Sequence, residues 1–477
     1  MSRHMSRRSF LKDALTISGG AVLAACAPAT AVSPTTAPPA AAAATAVPAA
    51  PATPIPATPV PVATAAPQVS AKKLTFSTYT FSDFESAMNK LLDQWTQLNP
   101  GVTVERQYAP WDDFWTRLQT QIAAGAPPDV TIADFGRIIG YGQSDVLLNL
   151  NPFLDSSKFP LDKMTPAAVS SFRWRKGDFN MGGEGGNLYG LPGDMQDCVF
   201  FYNKKLFDAA SVQYPTDDWT WNDVVVAGKK LTNKEKNQYG TGTPGMVDRG
   251  LWQWMAGAEL HTPDFKKSLV DSPESISVYK WIWDLIYTDK IAPAPNPSAT
   301  ATNPFISGQV AMYFDGVWNM PDFVTALKDD FDVALLPKHP TTGKRTTSIE
   351  CDGWWIFKAT KEPDLAFSLL TYLADPAGQK RLNDLGYLIP SCIPDVAKDW
   401  FGQAPPAHRS KALDNIVQES RMTDLTYYDC QTVSAAYLTP INAALADGTD
   451  ITAAAKEAAK VMDDELVKAW ERFNAAS

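Results

Sequence analysis

The 477-residue chain has few of the side chains that build metal sites or bind polyanions. Its four histidines, at positions 4, 261, 339 and 408, show no ligand spacing, and its five cysteines form no CxxC pair. A structural zinc site is therefore not expected, and no cofactor is predicted. Basic residues are in the minority, with 42 Lys and Arg against 52 Asp and Glu and a formal net charge of -10. This balance argues against nucleic acid and anionic membrane surfaces as partners.

The N-terminal region carries export signals but no membrane span. Its apolar stretch, residues 14–25, is too short and too interrupted by glycine to cross a bilayer as a helix. The preceding SRRSFLK (6–12) resembles a twin-arginine signal, and the LAAC that follows (23–26) resembles a bacterial lipobox. We expect residues 1–25 to be a signal peptide and Cys26 to carry a diacylglyceryl anchor. The alternative is a chance cysteine after a signal peptide that is cleaved elsewhere.

Residues 26–72 form a second N-terminal segment. From residue 27 to about 71 the chain is almost entirely Ala, Pro, Thr and Val, without aromatic or charged side chains. Such a composition cannot bury enough apolar surface to offset its ordering entropy. We expect a disordered tether that holds a folded body at the outer face of the cytoplasmic membrane, at the cell surface or in the periplasm.

Strand and helix patterns alternate from residue 73 onward. Strands are predicted at 73–80, 102–108 and 129–133, with helices at 84–98 and 112–124 between them. This order is typical of a mainly parallel sheet covered by helices. The chain exceeds what one core usually supports, which predicts two domains.

A Gly-Leu-Pro-Gly turn followed by a short apolar strand, 199–202, separates the first αβ block from a second one. We interpret this strand as a crossover and predict an α/β protein of two lobes with a ligand cleft between them. The predicted ranges are 73–192 plus 337–388 for the first lobe and 193–336 plus 389–477 for the second.

Ligands of parallel sheets bind beyond the carboxyl ends of the strands. The loops predicted there, and the segments predicted to join the lobes, carry aromatic, acidic and basic side chains suited to a polar ligand. For several of the aromatic residues, packing in a core is the open alternative. The candidates from this reasoning are Tyr79, Trp111, Asp134, Arg137, Asp194, Asp315, Asp352, Trp354 and Tyr427.

Five segments, in order along the body, resemble one family. They are PDVTIADFGRIIGYGQSDVLLNLNPFLD (128–155), GLPGDMQDCVFFYNKKLF (190–207), WTWNDVVVAGKKLT (219–232), FISGQVAMYFDGVW (305–318) and the long segment 351–391, which begins CDGWW. The chain resembles the extracellular solute-binding proteins of carbohydrate ABC transporters. The resemblance implies a type II periplasmic-binding-protein-like fold, closure on a sugar by hinge motion, and delivery to permease subunits. A monomer is the default expectation.

The resemblance also implies site residues. Trp318 matches the end of the fourth segment, where a glycine turn at Asp315-Gly316 would aim it at the cleft, and Trp252 falls where the family carries a stacking aromatic residue. Arg137 sits where relatives have a sugar-contacting arginine, and a surface ion pair is the open alternative for it. Ala133 and Gly136 depart from the tryptophan and aspartate of maltose-binding relatives, so a maltodextrin specificity is not predicted.

Other functions remain open on the sequence alone. A glycerophosphodiester, a polyamine or a peptide could occupy the same fold, because aromatic rings beside carboxylates also suit cations. A secreted carbohydrate-active enzyme with paired carboxylates is a further alternative, although no nucleophile motif or metal cluster is found. The cysteines after Cys26 allow either disulfides or free thiols, and they are Cys198, Cys351, Cys392 and Cys430.

Overall fold

Two β-sheets meet at the segments through which the chain crosses from one to the other. The computed structural model describes residues 72–80, 84–181, 185–295, 303–385 and 389–476. The expected signal peptide, the lipidated Cys26 and most of the tether therefore lie outside the described residues. Within the described ranges, no helix has the length and apolar character needed to cross a bilayer.

The described residues form thirteen strands. They are β1 (Lys72–Tyr79), β2 (Val102–Ala109), β3 (Val130–Asp134), β4 (Arg173–Trp174), β5 (Asn187–Leu188), β6 (Gly190–Pro192), β7 (Gln196–Asn203), β8 (Tyr239–Thr241), β9 (Val310–Gly316), β10 (Phe331–Ala334), β11 (Thr347–Glu350), β12 (Asp352–Ile356) and β13 (Ser420–Met422).

Sixteen α-helices accompany these strands in the described ranges. They are α1 (Phe84–Leu98), α2 (Trp111–Ala123), α3 (Ile138–Gln143), α4 (Asn151–Ser156), α5 (Pro166–Ser170), α6 (Lys204–Ala209), α7 (Trp221–Leu231), α8 (Leu251–Ala256), α9 (Pro273–Tyr287), α10 (Met320–Leu327), α11 (Pro363–Ala374), α12 (Pro376–Asp384), α13 (Pro394–Phe401), α14 (Ser410–Glu419), α15 (Cys430–Asp447) and α16 (Ile451–Ala476).

The first sheet has the strand order β2-β1-β3-β12-β6. β1 pairs in parallel with β2 and β3, while β12 pairs antiparallel with both β3 and β6. The predicted strand–helix–strand order of this region is confirmed. α1 begins and ends at the predicted residues, because its apolar side chains recur at helical spacing and bury one face, from Phe84 to Trp95.

The second sheet has the order β13-β11-β7-β9-β8, and β10 pairs with β7 beside β11. β7 runs antiparallel to β9, β10 and β11, while β8 is parallel to β9 and β13 is parallel to β11. Each sheet is therefore mainly parallel and contains one reversed strand, β12 in the first and β7 in the second. Those two strands begin directly after the chain crosses between the sheets, so the fold class predicted from the sequence is confirmed.

β7 is the predicted crossover strand, and it is longer than the apolar pattern indicated. All eight of its residues are buried, including the polar Gln196, Asp197 and Asn203 at its ends. Because it lies in the interior of the second sheet, both of its faces pack against other elements. Polar residues at the ends of a buried strand conceal its true length in the sequence.

One predicted boundary needs correction. The range 337–388 assigned β11 to the first lobe, but β11 pairs with β7 and β13 in the second sheet. After the turn at Gly343 the chain adds one more strand to the second sheet before it returns to the first. Cys351 alone separates β11 from β12, so the chain changes sheets at that residue.

The start of α7 illustrates how local sequence sets an element. The N–H and the hydroxyl of Thr220 both donate to the carboxylate of Asp223, at 2.8 and 2.7 Å, as the capping-box pattern predicted. The same helix approaches β8 so closely that a Cβ on Gly240 would lie 2.2 Å from the carbonyl oxygen of Gly228. Only glycine fits at position 240 without moving the helix.

Candidate functional site

The carboxyl ends of the parallel strands of both sheets meet at the crossing segments. Asp134, the last residue of β3, pairs with Asp352, the first residue of β12. In the second sheet Gly316, the last residue of β9, pairs with Cys198 near the start of β7. We call the segments 193–195 and Cys351, together with the adjoining residues 390–391, the hinge. Met195 N–H donates to the carbonyl of Pro390 at 2.9 Å within it.

A group of buried polar side chains ties the hinge strands together. The backbone N–H of Asp352 donates to Asp194 Oδ1 at 2.9 Å. Gln196 Nε2 donates to Asp194 Oδ1 at 3.1 Å and to Asp352 Oδ2 at 3.2 Å. The hydroxyl of Tyr79 also donates to Asp352 Oδ2. Asp194, Tyr79 and Asp352, predicted separately from the sequence, are thus brought together here.

An aromatic surface lies on the first-sheet side of the hinge. Trp111, at the start of α2, is 43% exposed, and its ring packs edge-on against Tyr79 at 4.6 Å and Trp115 at 5.5 Å between centroids. The guanidinium of Arg137 lies 4.0 Å from the centre of the Trp115 ring, and its Nε is 3.5 Å from Asp134 Oδ2. An exposed indole therefore lies close to a paired carboxylate and guanidinium.

Asp315 and Trp318 lie at the carboxyl end of β9 in the second sheet. Asp315 accepts hydrogen bonds from its neighbour Gly316 N–H, at 2.7 Å, and from the hydroxyl of Tyr313, at 2.8 Å. Trp318 is partly buried, and its ring folds back over Gly316, where a Cβ would lie 2.1 Å from Cζ3 of the indole. A glycine at position 316 is therefore required for this orientation of Trp318. The indole ring lies against the end of β9.

A partly buried ion pair links the second sheet to the hinge. Arg249, in the loop after β8, has Nε 2.6 Å from Glu350 Oε1 and Nη1 2.8 Å from Asp248 Oδ2. Glu350 ends β11 and pairs with Gln196 across the strands. This arrangement fixes the loop before α8 against the crossing strands.

Burial sets the protonation of the acids around the hinge. It raises the pKa of the Asp352, Asp315 and Glu350 carboxyls above their ordinary values, and neighbouring Asp194 and Asp134 add to the effect at Asp352. Desolvation disfavours the charged form of an acid, and further carboxylates oppose any added negative charge. An added negative charge is therefore disfavoured next to Asp352.

Three predicted ligand contacts are corrected by burial. Trp252 is 0% exposed, packs against Trp221 and Trp281, and donates its indole N–H to the carbonyl of Gly245 at 2.7 Å. Trp354 is 2% exposed and packs on Phe76 in the first sheet. These rings stabilise the cores of the two sheets and have no face available to a ligand.

Tyr427 is the third corrected residue. It is 2% exposed, and its ring stacks on Phe179 at 6.1 Å, next to His261 and Phe265. Its neighbours are bonded to the segment before β5, since Met181 N–H donates to the carbonyl of Thr426 at 2.8 Å. Tyr427 therefore packs a junction between chain segments.

Four residues of this region were not predicted from the sequence. They are Trp115, Gln196, Arg249 and Glu350. Trp115 follows Trp111 by four positions on α2, a spacing that places both on one helix face and could have indicated the pair. The other three carry no local signal for the hinge, because the contacts that link them there, Gln196 to Asp352 and Arg249 to Glu350, join residues that are distant in sequence.

The described residues hold no cluster of His, Cys, Asp and Glu that could bind a metal. Cys198, Cys351, Cys392 and Cys430 are buried free thiols. Cavities of about 410 and 330 Å³ lie elsewhere on the molecule, next to Lys290 and to Arg173, and none of the hinge residues lines them.

Asp424, in the loop after β13, should make stability depend on pH. Burial raises the pKa of its carboxyl to about 7, with Glu259 adding to the shift and Arg421 opposing it. An acid whose pKa is raised on folding stabilises the protein below its ordinary pKa and loses that contribution as the pH rises through the folded value. We expect the free energy of unfolding to fall between about pH 4 and pH 7, by at least ~1 kcal/mol from this group.

Urea denaturation at pH 5 and pH 8 would measure this effect. Asp424→Asn should show a smaller difference between the two pH values than the wild-type protein. Asp395→Asn, which removes an exposed carboxylate on α13, should leave the difference unchanged. An equal pH dependence in the wild type and in Asp424→Asn would refute the assignment.

The chain matches a known protein family over most of its length. A model of the bacterial extracellular solute-binding proteins matches residues 90–410. The chain belongs to this family. The match includes strands of both sheets and every hinge segment.

Characterised relatives of this solute-binding protein are distant in sequence. An arabinooligosaccharide-binding protein of Halalkalibacterium halodurans is 26% identical over 290 residues, which is 58% of this chain and 62% of the relative. The maltodextrin-binding protein MdxE of Bacillus subtilis is 26% identical over 265 residues, 53% of this chain and 58% of the relative. The matched region thus spans less than two thirds of these relatives.

Solved structures share the fold. The ABC substrate-binding protein Lmo0181 from Listeria monocytogenes, in complex with cycloalternan, superposes with a TM-score of 0.75 at 22% identity, over 83% of this chain and 100% of that one. Maltose-bound MalE3 of T. maritima gives 0.69 at 21% identity, over 83% and 100%. Both support the two-lobe architecture of this solute-binding protein.

Proposed function

We propose that this protein binds a neutral sugar or oligosaccharide between its two lobes and delivers it to the permease of an ABC importer. The observation that carries the proposal is the exposed indole of Trp111, supported edge-on by Tyr79 and Trp115 beside the Asp134–Arg137 pair. A sugar ring has C–H faces that stack on an aromatic ring and hydroxyl edges that bond carboxylates and guanidinium groups.

The two lobes would contribute different parts of the site. The first lobe supplies Trp111, Asp134 and Arg137, and the second supplies Asp315 and Trp318 at and just beyond the carboxyl end of β9. Binding to both favours the closed arrangement, because a ligand shifts a conformational equilibrium only through tighter binding to one state. We propose that the first lobe comprises 72–192 plus 352–385 and that the second comprises most of the remaining described residues.

The names of the relatives support a saccharide as the ligand class, since they bind arabino-oligosaccharides and maltodextrins. The concentration of carboxyl groups at the hinge disfavours a glycerophosphodiester. A polyamine is the second candidate, because Asp352 accepts a hydrogen bond from Tyr79, whose ring packs on the exposed Trp111, and Asp134 pairs with Asp352 across the strands.

Calorimetry on residues 72–477 with a panel of ligands tests the proposal. The panel comprises arabino-, malto- and manno-oligosaccharides, spermidine and glycerophosphocholine. We expect at least one neutral saccharide to bind with a micromolar or lower dissociation constant and glycerophosphocholine not to bind. Binding of spermidine without any saccharide would replace the proposed ligand class by the polyamine.

Export and anchoring complete the proposal. The twin-arginine and lipobox patterns lie outside the described residues, and they support attachment of Cys26 to membrane lipid with residues 27–71 as a tether. The protein would then act as a monomeric binding protein, without catalysis, next to its permease at the outer face of the membrane.

A further inference from the structure

Tyr79 occupies a different position from that of a stacking residue. Only 6% of Tyr79 is exposed, and its ring meets Trp111 with an interplanar angle of 62°. The exposed indole therefore covers one side of the Tyr79 ring. Its hydroxyl reaches across β3 and donates to the carboxylate of Asp352 on β12. One side of Tyr79 therefore supports the proposed ligand surface, and the other side is bonded to the hinge.

Asp352 is the residue at which the crossing segments are joined. Its carbonyl accepts from the N–H groups of Gly193, at 2.8 Å, and Asp194, at 3.1 Å, while its own N–H donates to Asp194 Oδ1. Its carboxylate also accepts a hydrogen bond, at 3.2 Å, from Nε2 of Gln196, which is the first residue of β7. Tyr79 and Asp352 belong to the first sheet and Gln196 to the second, so the Gln196–Asp352 bond spans the two lobes.

We infer that Tyr79 is a positioning residue that couples occupancy of the Trp111 surface to closure of the hinge, through its hydrogen bond to Asp352. The inference rests on the proposed function. A ligand stacked on Trp111 restricts the indole, and the indole restricts the Tyr79 ring packed against it. The Tyr79 hydroxyl then fixes the Asp352 carboxylate in the orientation that Gln196 bonds, which favours one angle between the sheets.

The coupling is specific to the hydroxyl group. Tyr79→Phe retains the ring and its packing against Trp111, Phe114 and Trp115, but it removes the donor to Asp352. Tyr437→Phe is a matched control, because Tyr437 is equally buried and its hydroxyl has no hydrogen-bond partner among the described residues. Gln196→Leu removes the next donor in the chain of contacts.

The experiment measures closure and affinity with the neutral saccharide that the wild-type protein binds. Spin labels at the exposed positions Lys90 on α1 and Val226 on α7 report the distance between the lobes. At saturating saccharide we expect the closed fraction to fall at least threefold in Tyr79→Phe, with about tenfold weaker binding, and both quantities to be unchanged in Tyr437→Phe. Thermal melting of each variant checks that it is folded.

A double-mutant cycle separates coupling from local damage. If Tyr79 and Gln196 act through the same carboxylate, the loss in Tyr79→Phe/Gln196→Leu will be smaller than the sum of the single losses. Wild-type closure in Tyr79→Phe, or strictly additive losses in the double variant, would overturn the inference while leaving sugar binding intact. Absence of saccharide binding by the wild-type protein would instead refute the proposed function and, with it, the inference.

Discussion

Replacing Trp111 by alanine should weaken saccharide binding by at least tenfold, which corresponds to about 1.4 kcal/mol or more. Trp111 is 43% exposed at the hinge side of α2, so its ring offers the apolar surface on which a sugar would stack. The rings of Tyr79 and Trp115 that pack against it remain in the variant. The free energy of unfolding should therefore change by less than about 1 kcal/mol.

Titration calorimetry of the wild type and the variant gives the affinity ratio directly. Trp283→Ala is the matched control, since Trp283 is a partly buried indole on α9 that bonds the carbonyl of Thr449, away from the hinge. Its loss should leave affinity unchanged. Equal affinities for Trp111→Ala and the wild type would remove Trp111 from the site and leave Trp318 as the remaining candidate for stacking.

Replacing Trp252 by alanine should lower the stability of the protein and leave its affinity for saccharide unchanged. The variant should lose about 3–5 kcal/mol of folding free energy, because removal of a fully buried indole leaves a cavity that its neighbours fill only in part. Trp221, Trp281 and Phe314 surround the ring, and its N–H bonds the carbonyl of Gly245. Protein that remains folded should bind saccharide with wild-type affinity.

Chemical denaturation measures this loss as a lower midpoint in urea. Trp252→Phe keeps most of the apolar volume and should recover more than half of the lost stability. A Trp252→Ala protein that is fully stable but binds saccharide poorly would return this residue to the ligand site, as the family resemblance first implied. The pair Trp111→Ala and Trp252→Ala thus separates a ligand surface from a core.

The sequence predicts much of the fold because the relevant signals are local. Helical spacing marked α1, the capping box marked the start of α7, and apolar β-branched runs marked β3 and β7. These patterns depend on neighbours within about four positions, which a single sequence displays. Their order along the chain then favours parallel sheets.

The aromatic candidates show where sequence reasoning stops. Trp111 and Trp252 both lie next to turn residues and polar side chains, yet one is exposed and the other is enclosed by rings from α7 and α9. Whether an indole is covered depends on segments that are distant in sequence. The same reason explains why the Arg249–Glu350 ion pair was not predicted, since about a hundred positions separate its members.

The two reversed strands fix where the molecule can turn. β7 and β12 are each hydrogen-bonded on both edges to other strands of their sheets, so neither can tilt without breaking backbone bonds. Among the described residues, rotation is thereby confined to the few peptide units between Pro192 and Gln196, to the single residue Cys351 and to the adjoining residues 390–391. Side chains outside these segments can change how far the two lobes open. The axis of the rotation is set by the backbone of these segments.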